Sequence, residues 1–126
     1  MSILRKGWIA AAAVMTMLAG TMGAALAHAA LVAAEPAEGA QVEAAPSELR
    51  LTFSEPVELA FTKVTVTDAN AGEIGVGPLT LGPDDDTVVV VPLTAPLAGG
   101  SYTVSWSAVA ADGHKSEGEY GFEVRP

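Results

Sequence analysis

The sequence predicts an all-β fold, an immunoglobulin-like Greek-key β-sandwich of about seven strands, and three observations lead there. Short segments of alternating apolar and polar residues recur along residues 28–126. Clusters of Pro, Gly and Asp separate them at strand-length intervals. No stretch beyond residue 27 keeps a helical apolar period long enough to compete.

The first segment, 30–34, runs into Glu35-Pro36-Ala37-Glu38-Gly39, where two backbone breakers make a turn. In the next, Leu49, Leu51 and Phe53 share one face while Arg50, Thr52 and Ser54 share the other, as a sheet with one wet face requires; Pro56 closes it. Val64 and Val66 alternate with Lys63, Thr65 and Thr67, and Asp68 to Gly72 supplies turn residues. Weaker segments lie at 73–76 and 79–81. Asp84-Asp85-Asp86 reads as a solvated turn rather than a calcium loop, because it lacks the spaced oxygen donors and glycine of such a loop. The unbroken valines of 88–91 suggest a strand buried on both faces. Gly99-Gly100 turns the chain into 101–108, where Tyr102, Val104 and Trp106 face one way, Trp106 as a core anchor. In the last strand Tyr120, Phe122 and Val124 alternate with Glu119, Gly121 and Glu123.

Residues 1–27 are expected to be a secretory signal peptide and 28–126 the working domain. Arg5 and Lys6 form a charged start, Gly7 to Leu18 an apolar run, and Ala25-Leu26-Ala27 a cleavage site of small residues. An uncleaved anchor is the alternative, since Trp8 to Leu26 is nearly long enough to span a bilayer. Cleavage leaves a soluble protein outside the cytoplasm, without stable membrane insertion. All four methionines lie in 1–27, and the chain has no cysteine, so the domain folds without disulfides and carries no sulfur ligand. Four basic against fifteen acidic residues give 28–126 a formal charge of −11. That balance excludes nucleic-acid backbones and anionic lipid as partners and suits a protein that meets cations.

The two histidines both stand at telling places. His28 follows the cleavage site, so processing makes it the N-terminal residue, and His114 lies in Asp112-Gly113-His114. A free N-terminal His offers its α-amine and ring Nδ1 as one small chelate, and His114 adds a third nitrogen. In a locally extended segment Asp112 and His114 share a face and can reach one ion together. Nitrogen and carboxylate donors without sulfur favour Cu(II), with zinc as the competitor. Taken singly, His28 reads better as a residue near a frayed terminus and His114 as a polar loop residue; the two together shift the balance towards metal.

These residues resemble the CopC family of bacterial periplasmic copper-binding proteins. The likeness rests on His28, Pro36, Gly39 and Pro46 at the opening and on Leu49-Arg50-Leu51-Thr52-Phe53-Ser54-Glu55-Pro56-Val57. It is completed by Leu97 to His114, with Gly100-Ser101-Tyr102-Thr103-Val104-Ser105-Trp106 leading into Asp112-Gly113-His114. The resemblance implies a cupredoxin-resembling sandwich that binds one Cu(II) ion through His28, Asp112 and His114. It places Glu55 beside the site, orienting a ligand or a water. It also implies a role in copper sequestration, delivery or resistance, with a CopD-type membrane copper protein as partner; the protein itself is expected to be a monomer. Two departures stand out. The domain has no methionine for the Cu(I) site of some members, and Lys115 stands where Pro or an apolar residue is common. A cation there opposes the metal's charge unless Glu117 pairs with it.

Binding copper needs no chemistry, so the protein is read as a non-enzyme. Two rival classes remain. An N-terminal His with a second His also forms the copper brace of lytic polysaccharide monooxygenases, though no aromatic platform for a polysaccharide is evident here. A metal-free immunoglobulin-like interaction module would use its sheet faces instead.

Overall fold

Alternation in the sequence becomes two inward faces. In the computed structural model the described residues are 28–126, so the signal peptide expected over 1–27 lies outside them. Nine strands are found among them: β1 (Leu31–Glu35), β2 (Gln41–Val42), β3 (Glu48–Phe53), β4 (Lys63–Asp68), β5 (Glu73–Ile74), β6 (Thr80–Gly82), β7 (Asp85–Pro92), β8 (Gly100–Val109) and β9 (Lys115–Val124). One sheet has the order β1-β3-β7-β6 and the other β2-β9-β8-β4-β5. The fold is an all-β two-sheet sandwich, as the patterning requires. Among the described residues no helix is long and apolar enough to cross a membrane.

From the four-stranded sheet Leu49, Leu51 and Phe53 of β3 and Val89 and Val91 of β7 point inward. Val66, Tyr102, Val104, Tyr120, Phe122 and Val124 meet them from the five-stranded sheet, and all are buried. Val88, on the outer side of β7, is 9% exposed, so the valine run is covered on both faces over part of its length. Tyr102 and Phe122 stack across the β8–β9 ladder with centroids 5.6 Å apart. The Tyr102 hydroxyl donates to the Ala98 carbonyl at 2.6 Å, tying the chain before β8 to the core in the manner of a tyrosine corner.

Three expectations change. The strands number nine rather than about seven: β2, two residues long, is too short to show alternation, and the weak segment at 73–76 is strand over Glu73–Ile74 only. Asp85 and Asp86 belong to β7; the turn is Pro83-Asp84, closed by the pairing of Gly82 with Asp85, and Asp84 takes a φ of 57°. Aspartate tolerates this left-handed region better than most residues. β9 begins at Lys115, ahead of its apolar stretch, and the inward positions there are Ser116 and Gly118. The Trp106 indole fills the space over Gly118: a Cβ on Gly118 would lie 2.9 Å from Trp106 Cζ2. Trp106 is thus half-buried, its ring edge-on to Phe53 at 5.2 Å.

The β8–β9 ladder runs unbroken from Gly100↔Val124 to Val109↔Lys115, and its tip is the loop 110–114. Val57 bridges to Ala110 and Lys63 pairs with Ser107, with the 3₁₀ turn Leu59–Phe61 looping out between them. The end of β3 and the starts of β1 and β9 thus gather at the same end of the sandwich.

The two tyrosines differ testably. Tyr102→Phe leaves the Ala98 carbonyl without its bond and should cost about 1 kcal/mol in urea unfolding. The Tyr120 hydroxyl is buried with no partner among the described residues, so Tyr120→Phe should be neutral or stabilising. Burial also pushes the Tyr120 hydroxyl up to about 12, whereas an unfolded tyrosine ionises near 10. The folded state then keeps a proton that the unfolded chain has lost, and stability falls as pH rises from about 10 to about 12. The melting temperature of the wild type should drop more steeply over that window than that of Tyr120→Phe.

Candidate metal centre

The tip of the β8–β9 hairpin is a tight turn built by its own sequence. Gly113 N–H donates to the Ala110 carbonyl at 2.8 Å and Ala110 N–H to the His114 carbonyl at 2.9 Å. Gly113 has a φ of +91°, a conformation that favours glycine. Asp112 Oδ1 accepts the His114 backbone N–H at 3.0 Å, and Oδ2 lies 3.0 Å from His114 Nδ1. Asp112 and His114 therefore meet, though through a turn and not the extended segment the sequence suggested. The Asp112 carboxyl is held below the usual carboxylate value, chiefly by the His114 backbone N–H and then by the bond to its ring. An ionised carboxylate on Nδ1 leaves Nε2 as the His114 nitrogen with an open lone pair. Both side chains reach solvent, His114 at 55% and Asp112 at 36% exposure.

His28 comes to this loop from the far end of the domain sequence. Its ring stacks on that of His114, centroids 5.4 Å apart and planes 10° from parallel. Ser54, just past β3, donates from Oγ to the His28 carbonyl at 3.1 Å and accepts the Ala30 N–H at 3.0 Å. Its own N–H donates to the Ala30 carbonyl at 2.8 Å. Ser116 Oγ donates to the Ala29 carbonyl at 2.7 Å, and the Ala29 methyl is wholly buried in the core. In the sequence Ser54 stands out only as part of the Leu49-to-Val57 motif and Ser116 not at all, because a serine near a strand end is too common to carry a signal.

Glu55 follows Ser54, half-buried, and forms no ion pair among the described residues. Lys115 Nζ lies 3.9 Å from the Glu117 carboxylate, the pairing that relieves a cation beside the loop. A shallow groove of about 500 Å³, lined by Lys63, Thr65, Ser105, Ser107, Glu117 and Glu119 among others, contains neither histidine and lies over the sheet, away from this chemistry.

The structure brings His28, Asp112 and His114 together at an exposed point. It does not assemble three side-chain donors into a ready cage: among the described residues no group of three His, Cys, Asp or Glu side chains converges to hold a metal. Two imidazoles and one carboxylate are at hand, with the carboxylate engaged by His114.

A family model described as the CopC domain matches residues 31–125, most of the chain. The chain belongs to the CopC family. The matched stretch includes Glu55, Asp112 and His114 and begins just after His28. Over 99 residues the chain is 41% identical to Protein YobA of Escherichia coli K12, covering 79% of this chain and 80% of that one. It superposes on CopC from Methylosinus trichosporium OB3b with a TM-score of 0.73 and 31% identity, over 79% of this chain and 95% of that one. PcoC, a methionine-rich copper resistance protein from Escherichia coli, gives a TM-score of 0.72 and 30% identity, over 79% and 100%. CopC-family proteins bind copper, are periplasmic and are generally non-enzymatic. The sequence-based expectation of a copper protein is met at that level.

Gly113→Ala tests the turn. With no atom within 4 Å of the new Cβ, the cost is conformational, about 1–2 kcal/mol in chemical unfolding. The same substitution should displace His114 and weaken whatever metal binding the loop supports.

Proposed function

We propose that this chain is exported, cleaved between Ala27 and His28, and then binds one Cu(II) ion as cargo in the periplasm, for sequestration or delivery. The observation that carries the reading is the ring contact of His28 with His114, residues from opposite ends of the domain sequence. The His28 amine and Nδ1, the His114 ring and one Asp112 carboxylate oxygen are the proposed donors, and Glu55 orients a ligand or a water beside them. One of these donors is a main-chain amine freed by cleavage; the three side-chain donors must still converge, since Asp112 is engaged by His114 and the two imidazoles lie stacked. The Asp112 oxygen bound to His114 Nδ1 is released to the metal, while its other oxygen keeps the turn. Imidazole, amine and carboxylate donors without thiolate or thioether suit Cu(II) over Cu(I). In this respect the domain differs from methionine-rich PcoC, since all its methionines lie in 1–27.

The charge of −11 on 28–126 raises the local cation concentration and speeds capture at low salt. Exposure of His114 and Asp112 leaves the ion open to an acceptor, for which a CopD-type membrane copper protein is the proposed partner, met by the protein as a monomer.

Cu(II) titrated into protein beginning at His28, and into protein with one extra N-terminal residue, should give different electron paramagnetic resonance spectra. One tight nitrogen-rich site is expected in the first and its loss or marked weakening in the second. His114→Ala should lose the site as well. Equal, weak binding by both forms overturns the reading and favours a metal-free module. Binding displaces protons from amine and imidazole, so mild acid should release the ion; full retention down to about pH 5 would contradict this donor set.

A further inference from the structure

We propose that Ser54 and Ser116 are positioning residues for copper, clamping the backbone of residues 28–30 so that the His28 chelate stands against His114 before any metal arrives. The inference rests on the copper site proposed above and concerns what makes that site rigid.

Chain termini are ordinarily the least ordered part of a domain. A chelate carried on such a terminus must be ordered as the ion binds, and that cost is subtracted from affinity. Residues 28–30 precede β1 and take part in no sheet ladder, yet their backbone is held at successive positions. The His28 carbonyl accepts from Ser54 Oγ, the Ala29 carbonyl from Ser116 Oγ, and the Ala30 N–H and carbonyl are both bonded to Ser54. Between the two serines the Ala29 methyl is sealed in the core.

The clamp spans both layers of the sandwich. Ser54 continues β3 of the four-stranded sheet, whereas Ser116 lies on β9 of the five-stranded sheet, two residues after His114. The start of β9, which follows directly on His114, therefore also grips Ala29. The separation of His28 from His114 is set by the position of one strand and not by a flexible tail. Each Ser54 hydroxyl bond is used, one as donor and one as acceptor, so alanine there removes two contacts at once. Alanine at 116 leaves the Ala29 carbonyl unpaired.

The test uses the domain beginning at His28, as wild type, Ser54→Ala, Ser116→Ala and Ser116→Thr. Trp106 is the one tryptophan in that protein, so its fluorescence serves as an independent monitor of unfolding, and chelator competition followed by electron paramagnetic resonance reads the copper site. Each alanine variant should bind Cu(II) about three- to tenfold more weakly and show a broadened copper hyperfine pattern; Ser116→Thr, which keeps the hydroxyl, should restore both. A metal-free readout accompanies these: removal of His28 by an aminopeptidase should be faster in the alanine variants. Ser54 is exposed, so its variant keeps the test open should Ser116→Ala unfold. Faster trimming with unchanged affinity and spectrum overturns the positioning role, leaving a structural one. Unchanged trimming overturns the clamp. Absence of a nitrogen-rich site in the wild type overturns the copper reading and with it the positioning role, and is told apart because it needs no serine variant to appear.

Discussion

Ten consecutive antiparallel residue pairs between β8 and β9 hold the molecule's working parts in register. One end of this ladder carries the Tyr102–Phe122 stack, and the Tyr102 hydroxyl fixes the chain that leads into it. β4 pairs along its outer side and β2 adds to β9, so the five-stranded sheet is assembled around it. At its other end the ladder delivers the turn 110–114 and, on the same strand, Ser116. A slip of one residue would turn Tyr120, Phe122 and Val124 outward and carry His114 and Ser116 away from the N-terminal segment. The core and the candidate metal centre therefore depend on the same register.

Much of the core was legible because side-chain alternation has one physical cause, burial of a single face. Leu49, Leu51 and Phe53, like Tyr120, Phe122 and Val124, read directly as inward residues and are so. β2 was not legible, since two residues have no period and Gln41-Val42 pairs only because β9 offers an edge. The first half of β9 was hidden for another reason. Its inward positions are Ser116 and Gly118, polar and empty, because Trp106 reaches across to fill the space that an apolar residue would otherwise occupy. The aspartate run misled by a residue or two: Asp84 alone bends the chain, and Asp85 and Asp86 already lie in strand.

At the candidate centre, residue chemistry was legible and geometry was not. His28, Asp112 and His114 announce themselves by type and place, and the fold brings them together. The turn that joins Asp112 to His114 depends on Gly113's positive φ and on two bonds to one carboxylate, which no spacing rule conveys. Ser54 and Ser116 belong to the same class. Their contacts exist only once residues 28–30 have been laid across the end of the sandwich, so the sequence shows them as ordinary strand-end serines.

The four outer strands share a property with a consequence for life in a crowded compartment. β1 and β6 border one sheet, and each carries a register irregularity, between Leu31 and Ala33 and between Leu81 and Gly82. β2 and β5 border the other and are two residues long. None offers a long, flat row of free amides and carbonyls on which a neighbouring chain could add a strand. A domain without disulfides, whose unfolding no covalent staple slows, is thus shielded from edge-to-edge polymerisation by the raggedness of its own margins.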